Sequence, residues 1–310
     1  MHRFRILVPV SFADQSDIVL KQAKTLAKQL NAMITCLHVI EKSGFTGGRH
    51  INREIEQKFR RESELKLASK VNRNLSGDEY ISYELIVSSG GVHRKILEKA
   101  SELNMDLIIM GRCDSKGGTK SRLGSNATKV IERSEIPVLT IRNSHAPTCQ
   151  HILVPLDLST PVSLQLAKAI EWAEMLNALV TVCAVIPPDG PGPQAAYKRR
   201  LIEIKKLFDQ YDISCRVRLL IKEKQVVDEI LSCSRKYHPN LMMLMTQEEA
   251  KVTALSLGSI ADALLSKSEI PMLTVTPVIK KEPYPFRSLF GSINNPILNY
   301  DHKDHLIKTN

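Results

Sequence analysis

Ile6-Leu7-Val8-Pro9-Val10 recurs, with only its last residue changed, as Ile152-Leu153-Val154-Pro155-Leu156. At the same separation of 146 residues, and with no gap, Asn31-Ala32-Met33-Ile34-Thr35-Cys36-Leu37-His38-Val39-Ile40 faces Asn177-Ala178-Leu179-Val180-Thr181-Val182-Cys183-Ala184-Val185-Ile186. Agreement sustained at one spacing marks an internal duplication. The match resumes at a separation of 134 residues, where Asp106–Gly111 faces Asn240–Met245, Leu123–Ala127 faces Leu257–Ala261, and Ser134–Ile141 faces Ser268–Val275. The second copy is therefore 12 residues shorter in its middle, and the difference falls between Ile40 and Tyr80, which the charged composition reads as a longer surface loop or helix.

Each copy alternates short apolar runs with helical periodicity. In the first, Ile6–Val10, Met33–Ile40, Ile81–Val87, Leu107–Met110 and Val138–Ile141 read as strands buried on both faces, because they are apolar throughout rather than at alternate positions. Between the first two, Val19, Ala23, Leu26, Ala27 and Leu30 recur at helical spacing, as do Leu166, Ala169, Ile170, Ala173 and Leu176 in the second copy. Thr160-Pro161 reads as the start of that second helix. Pro137 and Pro271 precede the last strand of each copy, where a helix must stop and an extended chain begin. Strands alternating with helices predict an α/β fold of two tandem doubly wound, mostly parallel five-stranded sheets. Ligands bind such sheets outside the carboxyl ends of the strands.

A chain of 310 residues, 43% of them hydrophobic, can bury two ordinary cores. The expected division is one domain over residues 1–144, a linker near Asn143 to Gln150, a second domain over 150–278, and a tail over 279–310 with no sustained period. Basic residues exceed acidic ones by 43 to 33, a net charge of +10, but the two signs are interspersed on most helices. A mixed solvated surface fits that pattern better than a nucleic-acid footprint. The six cysteines contain no CxxC pair and no zinc-ligand spacing, which fits reduced thiols in a cytoplasmic protein. No signal-peptide pattern opens the sequence, and no apolar run is long enough to span a bilayer.

The stretch that points to a ligand follows Leu107–Met110. Gly111 ends that strand, a polar loop follows, and Gly124-Ser125 opens a helix over Asn126–Arg133, an arrangement that aims backbone N–H groups at an anion. On the repeats and on this loop the chain resembles the universal stress protein family, whose ATP-binding members carry Gly, two residues, Gly, nine residues, then Gly with Ser or Thr. Gly111, Asp114, Gly124 and Ser125 occupy those positions. Aspartate at the second glycine position adds a side chain and a negative charge, both unfavourable to a close polyphosphate. Lys116, Lys120 and Arg122 lie in the same loop and supply donors if they turn inward. In the second copy the equivalents are Met245, Glu248, Gly258 and Ser259, with Gln247 and Glu249 beside them, so only the helix-opening pair survives.

Family members that bind ATP also place an Asp just after the first strand, where it bonds the ribose. The second copy keeps it as Asp157, while the first has Ser11 after Pro9 and Val10. The resemblance further implies that Val39 and Val185 line adenine and that Met110 and Asn126 border the first site. It implies an adenine nucleotide α-hydrolase-like fold, an adenine nucleotide such as ATP in the first copy with magnesium left open, and a stress-response binding or regulatory role in the cytoplasm. It implies pairing of Val138–Ile141 with Met272–Val275 as an intramolecular pseudo-dimer, with further homodimerisation left open. Alternative readings are a nucleotide-independent interaction protein with decayed clefts, or a slow ATPase in which Asp114 helps to hold a divalent ion. No GxxxxGK[ST], HExxH or GxSxG motif occurs, and Gly118-Thr119-Lys120-Ser121 falls short of the first. Cys113 beside Arg112 reads as a loop cysteine, and the pair His302 and His305 as solvated tail residues.

Overall fold

The computed structural model describes residues 3–41, 53–78, 80–112, 123–142, 149–186, 188, 194–246 and 257–276. The first copy runs β1 (Arg5–Pro9), α1 (Gln15–Leu30), β2 (Met33–Ile40), α2 (Arg53–Leu75), β3 (Ser82–Ser89), α3 (Val92–Glu102), β4 (Leu107–Gly111), α4 (Ser125–Arg133) and β5 (Val138–Ile141). The second repeats that order as β6 (His151–Leu156), α5 (Ser163–Leu176), β7 (Leu179–Ile186), α6 (Gln194–Asp209), β8 (Cys215–Ile221), α7 (Val226–Tyr237), β9 (Leu241–Met245), α8 (Ser259–Lys267) and β10 (Met272–Val275).

The five strands of each copy join into one ten-stranded sheet in the order β3-β2-β1-β4-β5-β10-β9-β6-β7-β8. Within each copy every pairing is parallel, as crossover helices require. The β5–β10 junction is antiparallel, with Leu139 opposite Leu273. There the Thr274 hydroxyl donates to Val138 O at 3.0 Å and the Thr140 hydroxyl to Met272 O at 3.3 Å, so both buried hydroxyls find partners on the opposite strand. The pairing covers two strands that would otherwise be open sheet edges.

Helices α1, α2, α5 and α6 cover one face and α3, α4, α7 and α8 the other, and each apolar layer runs through both copies. Ile6, Leu7 and Val8 are wholly buried, which is why β1 is apolar at consecutive positions. Asn31 and Asn177 end α1 and α5 with φ of 48° each, a left-handed conformation that Asn tolerates better than most residues. The next residue closes each cap, Ala32 N–H donating to Ala27 O at 2.8 Å and Ala178 N–H to Ala173 O at 2.9 Å. The repeated Asn-Ala pair is thus a helix stop followed directly by a strand.

The added length of the first copy lies partly in α2, which has 23 residues against 16 in α6. Helix α5 starts at Ser163, later than Thr160-Pro161 suggests, because Ser159 and Thr160 are held in a turn by Asp157. None of the described helices is long and apolar enough to cross a membrane.

The halves also meet through side chains. Phe4 packs edge-on against Trp172 of α5, their ring centroids 6.2 Å apart, and Gln29 Nε2 donates to Leu176 O at 2.9 Å. On the opposite face, the buried guanidinium of Arg112, just past β4, donates to Leu265 O at 2.6 Å, Ser268 O at 3.0 Å and Ile270 O at 2.8 Å. These carbonyls end α8 and lead into β10, where a cation suits both the unpaired acceptors and the helix dipole.

Candidate functional site

The strand order reverses direction between β1 and β4 and again between β6 and β9, which makes the carboxyl ends of these pairs the natural ligand crevices. The second crevice holds a cavity of about 270 Å³. Pro155, Leu156 and Asp157 enter it from the end of β6, Cys183 and Val185 from β7, Met245 and Thr246 from β9, and Gly258 and Ser259 from the start of α8. Val226 and Ile230 of α7 close another side. All four second-copy residues singled out from the sequence, Asp157, Val185, Gly258 and Ser259, therefore share one cavity.

Its walls are mostly apolar, and its polar groups are few and fixed. Asp157 is exposed at the rim, where its Oδ1 accepts from Ser159 N–H at 2.9 Å and from the Ser159 hydroxyl at 2.5 Å. This turn sets the carboxylate's position and leaves Oδ2 outside both bonds. Beneath it, the buried Arg200 donates to Leu158 O at 2.7 Å. Burial pushes the Tyr197 phenol above its ordinary value, and the Asp157 charge adds to the effect. Buried Gln165 ties α5 to β6 by donating to Pro155 O at 3.0 Å.

The start of α8 is only partly available to an anion. Gly258 N–H already donates to Thr246 O at 3.0 Å. The N–H groups of the first turn beyond it have no partner within an α-helix. Gly258 has φ of −60°, and an added Cβ would meet nothing closer than Thr246 O at 3.8 Å, so neither backbone strain nor crowding demands glycine there.

The first crevice is arranged differently. Pro9 ends β1, Val10 is buried with its N–H donating to Leu37 O at 2.8 Å, and Ser11 follows at the surface. The Ser16 hydroxyl accepts from Ser11 N–H and lies 2.9 Å from the Ser11 hydroxyl. His38 Nδ1 donates to Val10 O at 2.9 Å, and Phe12 covers the imidazole with centroids 4.2 Å apart. Val39 is half-buried on β2, and Met110 is buried on β4. Gly111 ends β4, but a Cβ built there would come within 2.7 Å of Gln15 Cγ. The Gln15 amide crosses to the end of β5, donating to Arg142 O at 3.1 Å and Ile141 O at 3.3 Å. Space that a glycine leaves for close approach is thus filled from α1.

Gly124 caps α4, Ser125 is its exposed first residue, and Asn126 hydrogen-bonds His93. Burial lowers the His93 pKa, and nearby Lys129, Arg133 and Arg94 lower it further. Asp114, Lys116, Gly118-Thr119-Lys120-Ser121, Arg122, Cys113, Gln247, Glu248, Glu249, His302 and His305 lie outside the described residues.

Sequence reasoning missed Gln15 and Arg112. Gln15 and Arg112 have no repeat signal to find them by, since Pro161 and Thr246 stand at the matching positions. The cysteines among the described residues are buried free thiols, and Cys36, Cys149 and Cys215 are each pushed up to about 12 chiefly by desolvation.

Comparison with known proteins brings in independent relationships. The sequence model described as the universal stress protein family matches residues 2–142 and again 148–276. Universal stress protein YxiE of Bacillus subtilis is 29% identical over 147 residues, 44% of this chain and 98% of the relative. Universal stress protein MJ0577 of Methanocaldococcus jannaschii is 27% identical over 160 residues, 46% of this chain and 96% of the relative. A universal stress protein structure from Archaeoglobus fulgidus superposes with a TM-score of 0.70 at 18% identity, covering 88% of this chain and 98% of that one. The first two relatives align with about one copy each, whereas the Archaeoglobus structure spans both.

Proposed function

The chain belongs to the universal stress protein family as two fused copies, and we propose that it serves as a stress-response binding module whose ligand sits in the second-copy cavity and is an adenosine-like molecule. The observation carrying this reading is the convergence of Asp157, Val185, Gly258 and Ser259 on one cavity.

The nucleoside part of ATP fits these residues. Val185 and the apolar walls suit a flat ring, and the Asp157 oxygen left outside the Ser159 bonds suits a ribose hydroxyl through a charge-assisted bond. A volume of about 270 Å³ falls just below the usual span of ligand pockets, about 300–1,000 Å³. The polyphosphate fits poorly, because Met245 projects a side chain where a glycine would admit it and Gly258 N–H is already bonded. In the first copy, Pro9, Val10, Ser11, Val39, Met110, Gly111, Gly124, Ser125 and Asn126, with Asp114, form the alternative ATP site. Occupation there requires Gln15 to swing away from Gly111.

The test is calorimetry with adenosine, AMP and ATP on wild type, Asp157→Ala and Gly124→Asp. Binding of adenosine and AMP weakened at least about tenfold by Asp157→Ala and untouched by Gly124→Asp supports the second cavity; a tenfold loss corresponds to about 1.4 kcal/mol. Binding insensitive to Asp157→Ala, or abolished by Gly124→Asp, overturns it. The domain division at residues 1–144 and 150–278 belongs to the same proposal, and limited proteolysis cutting between them checks it.

A further inference from the structure

Helix α2 is packed against the body through its C-terminal half. Its buried residues Leu67, Lys70, Val71, Asn74 and Leu75 recur at i, i+3, i+4, i+7 and i+8, which is one face of a helix. From Arg53 to Glu62, in contrast, every residue is exposed. A helical stretch of about 10 residues has little stability of its own in water and is ordinarily held by the packing of an apolar face. Such a face is present and open: Ile55 is 48%, Phe59 43% and Leu65 73% exposed.

Ile55, Lys58, Phe59, Glu62, Leu65 and Lys66 follow one another at i, i+3, i+4, i+7, i+10 and i+11, so they share one side of α2. Arg60 is turned to the opposite side, its Nε donating to Glu64 Oε1 at 3.1 Å and its Nη2 to Val87 O of β3 at 3.3 Å. The open side thus carries apolar residues with charges of both signs set between them.

We propose that this side of α2 docks a second molecule of the same chain, the two α2 helices lying antiparallel about a two-fold axis level with Arg60. The charge pattern selects both the occupant and the direction. In that register Lys58 stands opposite the partner subunit's Glu62, and Glu62 stands opposite the partner subunit's Lys58. Ile55 stands opposite the partner subunit's Leu65, and the two Phe59 rings meet near the axis. A parallel pair in matching register sets Lys58 against Lys58 and Glu62 against Glu62, and like charges facing one another repel. Unlike charges on both sides of the axis therefore fix the antiparallel arrangement, and the apolar residues supply the burial.

The surface belongs to the first half of the chain. In the second half the shorter α6 leaves Ile202 as its exposed large apolar residue, and the rest of its large apolar residues are buried. Each chain accordingly offers one such face, and a two-fold pair uses both, so association closes at two molecules and does not run on into a fibre. A contact of roughly three helical turns is a small interface, and the pairing is weak, forming at high concentration.

The test is sedimentation equilibrium of the full chain from about 10 μM to about 1 mM, a range that brackets dissociation constants of a weak pair. A reversible monomer–dimer equilibrium, weakened at least about tenfold by Leu65→Glu, supports the proposal. Lys58→Glu and Glu62→Lys should each weaken self-association, since each sets like charges across the axis. A mixture of these two variants should form a heterodimer tighter than either variant's own dimer, because both cross pairs are again unlike. All three positions are exposed, and circular dichroism checks that each variant keeps its helix content. A wild-type chain that stays monomeric throughout, a dimer indifferent to Leu65→Glu, or a mixture no tighter than its separate components overturns the proposal.

Discussion

Arg112 reaches from the end of β4 in one copy to Leu265 O, 2.6 Å away at the end of α8 in the other. It bridges the halves at a position where the second copy offers only Thr246, whose N–H donates to Val275 O as Arg112 N–H does to Ile141 O. The backbone pairing is symmetric, and the side-chain clamp is not.

Arg112→Ala should therefore destabilise the junction by about 3 kcal/mol, since it strands three buried carbonyls that a cation had satisfied. Thr246→Ala, its counterpart, should cost well under half as much. Urea denaturation of the two variants side by side checks the asymmetry, and equal losses would refute it.

Glycines at matching helix and strand ends should respond differently. Gly111→Ala must displace Gln15 and crowd Val19 Cγ2, 3.3 Å from the new Cβ, at a cost of about 1–3 kcal/mol. Gly258→Ala meets open space at an ordinary φ and should change stability by less than about 0.5 kcal/mol. Thermal denaturation of both variants reads the difference.

Acid should loosen α1 from α2. Burial raises the Asp17 pKa, but hydrogen bonds from Lys70 at 2.7 Å and Asn74 at 2.7 Å, with the charges of Lys70 and Arg73, more than reverse this and leave it below its ordinary value. A carboxylate depressed on folding contributes stability that is fully present above its unfolded pKa of about 3.9 and lost as pH falls through the lower folded value. Asp17→Asn should cost about 1–2 kcal/mol at neutral pH, partial exposure holding the figure down, and the penalty should fade below about pH 4. Stability measured from pH 7 to pH 3 tests both parts.

Trp172 is the chain's single tryptophan and lies 3% exposed at the contact with Phe4, which makes its fluorescence a reporter of the packing between halves. Phe4→Ala should shift its emission to the red and cost about 1–3 kcal/mol, a value softened because Phe4 is itself only partly buried. An unchanged emission maximum would show that the ring pair does not shield the indole.

Much of this architecture was legible in the residues. Apolar runs such as Ile6–Val8 announce strands buried on both faces, and the repeated Asn-Ala pair marks where α1 and α5 stop. The match of Ser134–Ile141 with Ser268–Val275 located the strands that join the halves. Gln15 and Arg112 escaped notice because their roles depend on partners 126 and 153 residues away, across a packing that no local pattern encodes. The glycine pattern of the loop stands in the first copy, and the second-copy cavity opens beside Asp157.

The antiparallel seam between β5 and β10 has a consequence for assembly. Separate subunits meeting through such a seam would assemble only as far as their concentration allowed, and would dissociate on dilution. Here the partner is covalently attached, so assembly of the ten-stranded sheet is independent of protein concentration. Independence of this kind also frees the two clefts from a shared gene sequence, and mutations that fill one with Gln15 need not touch the other.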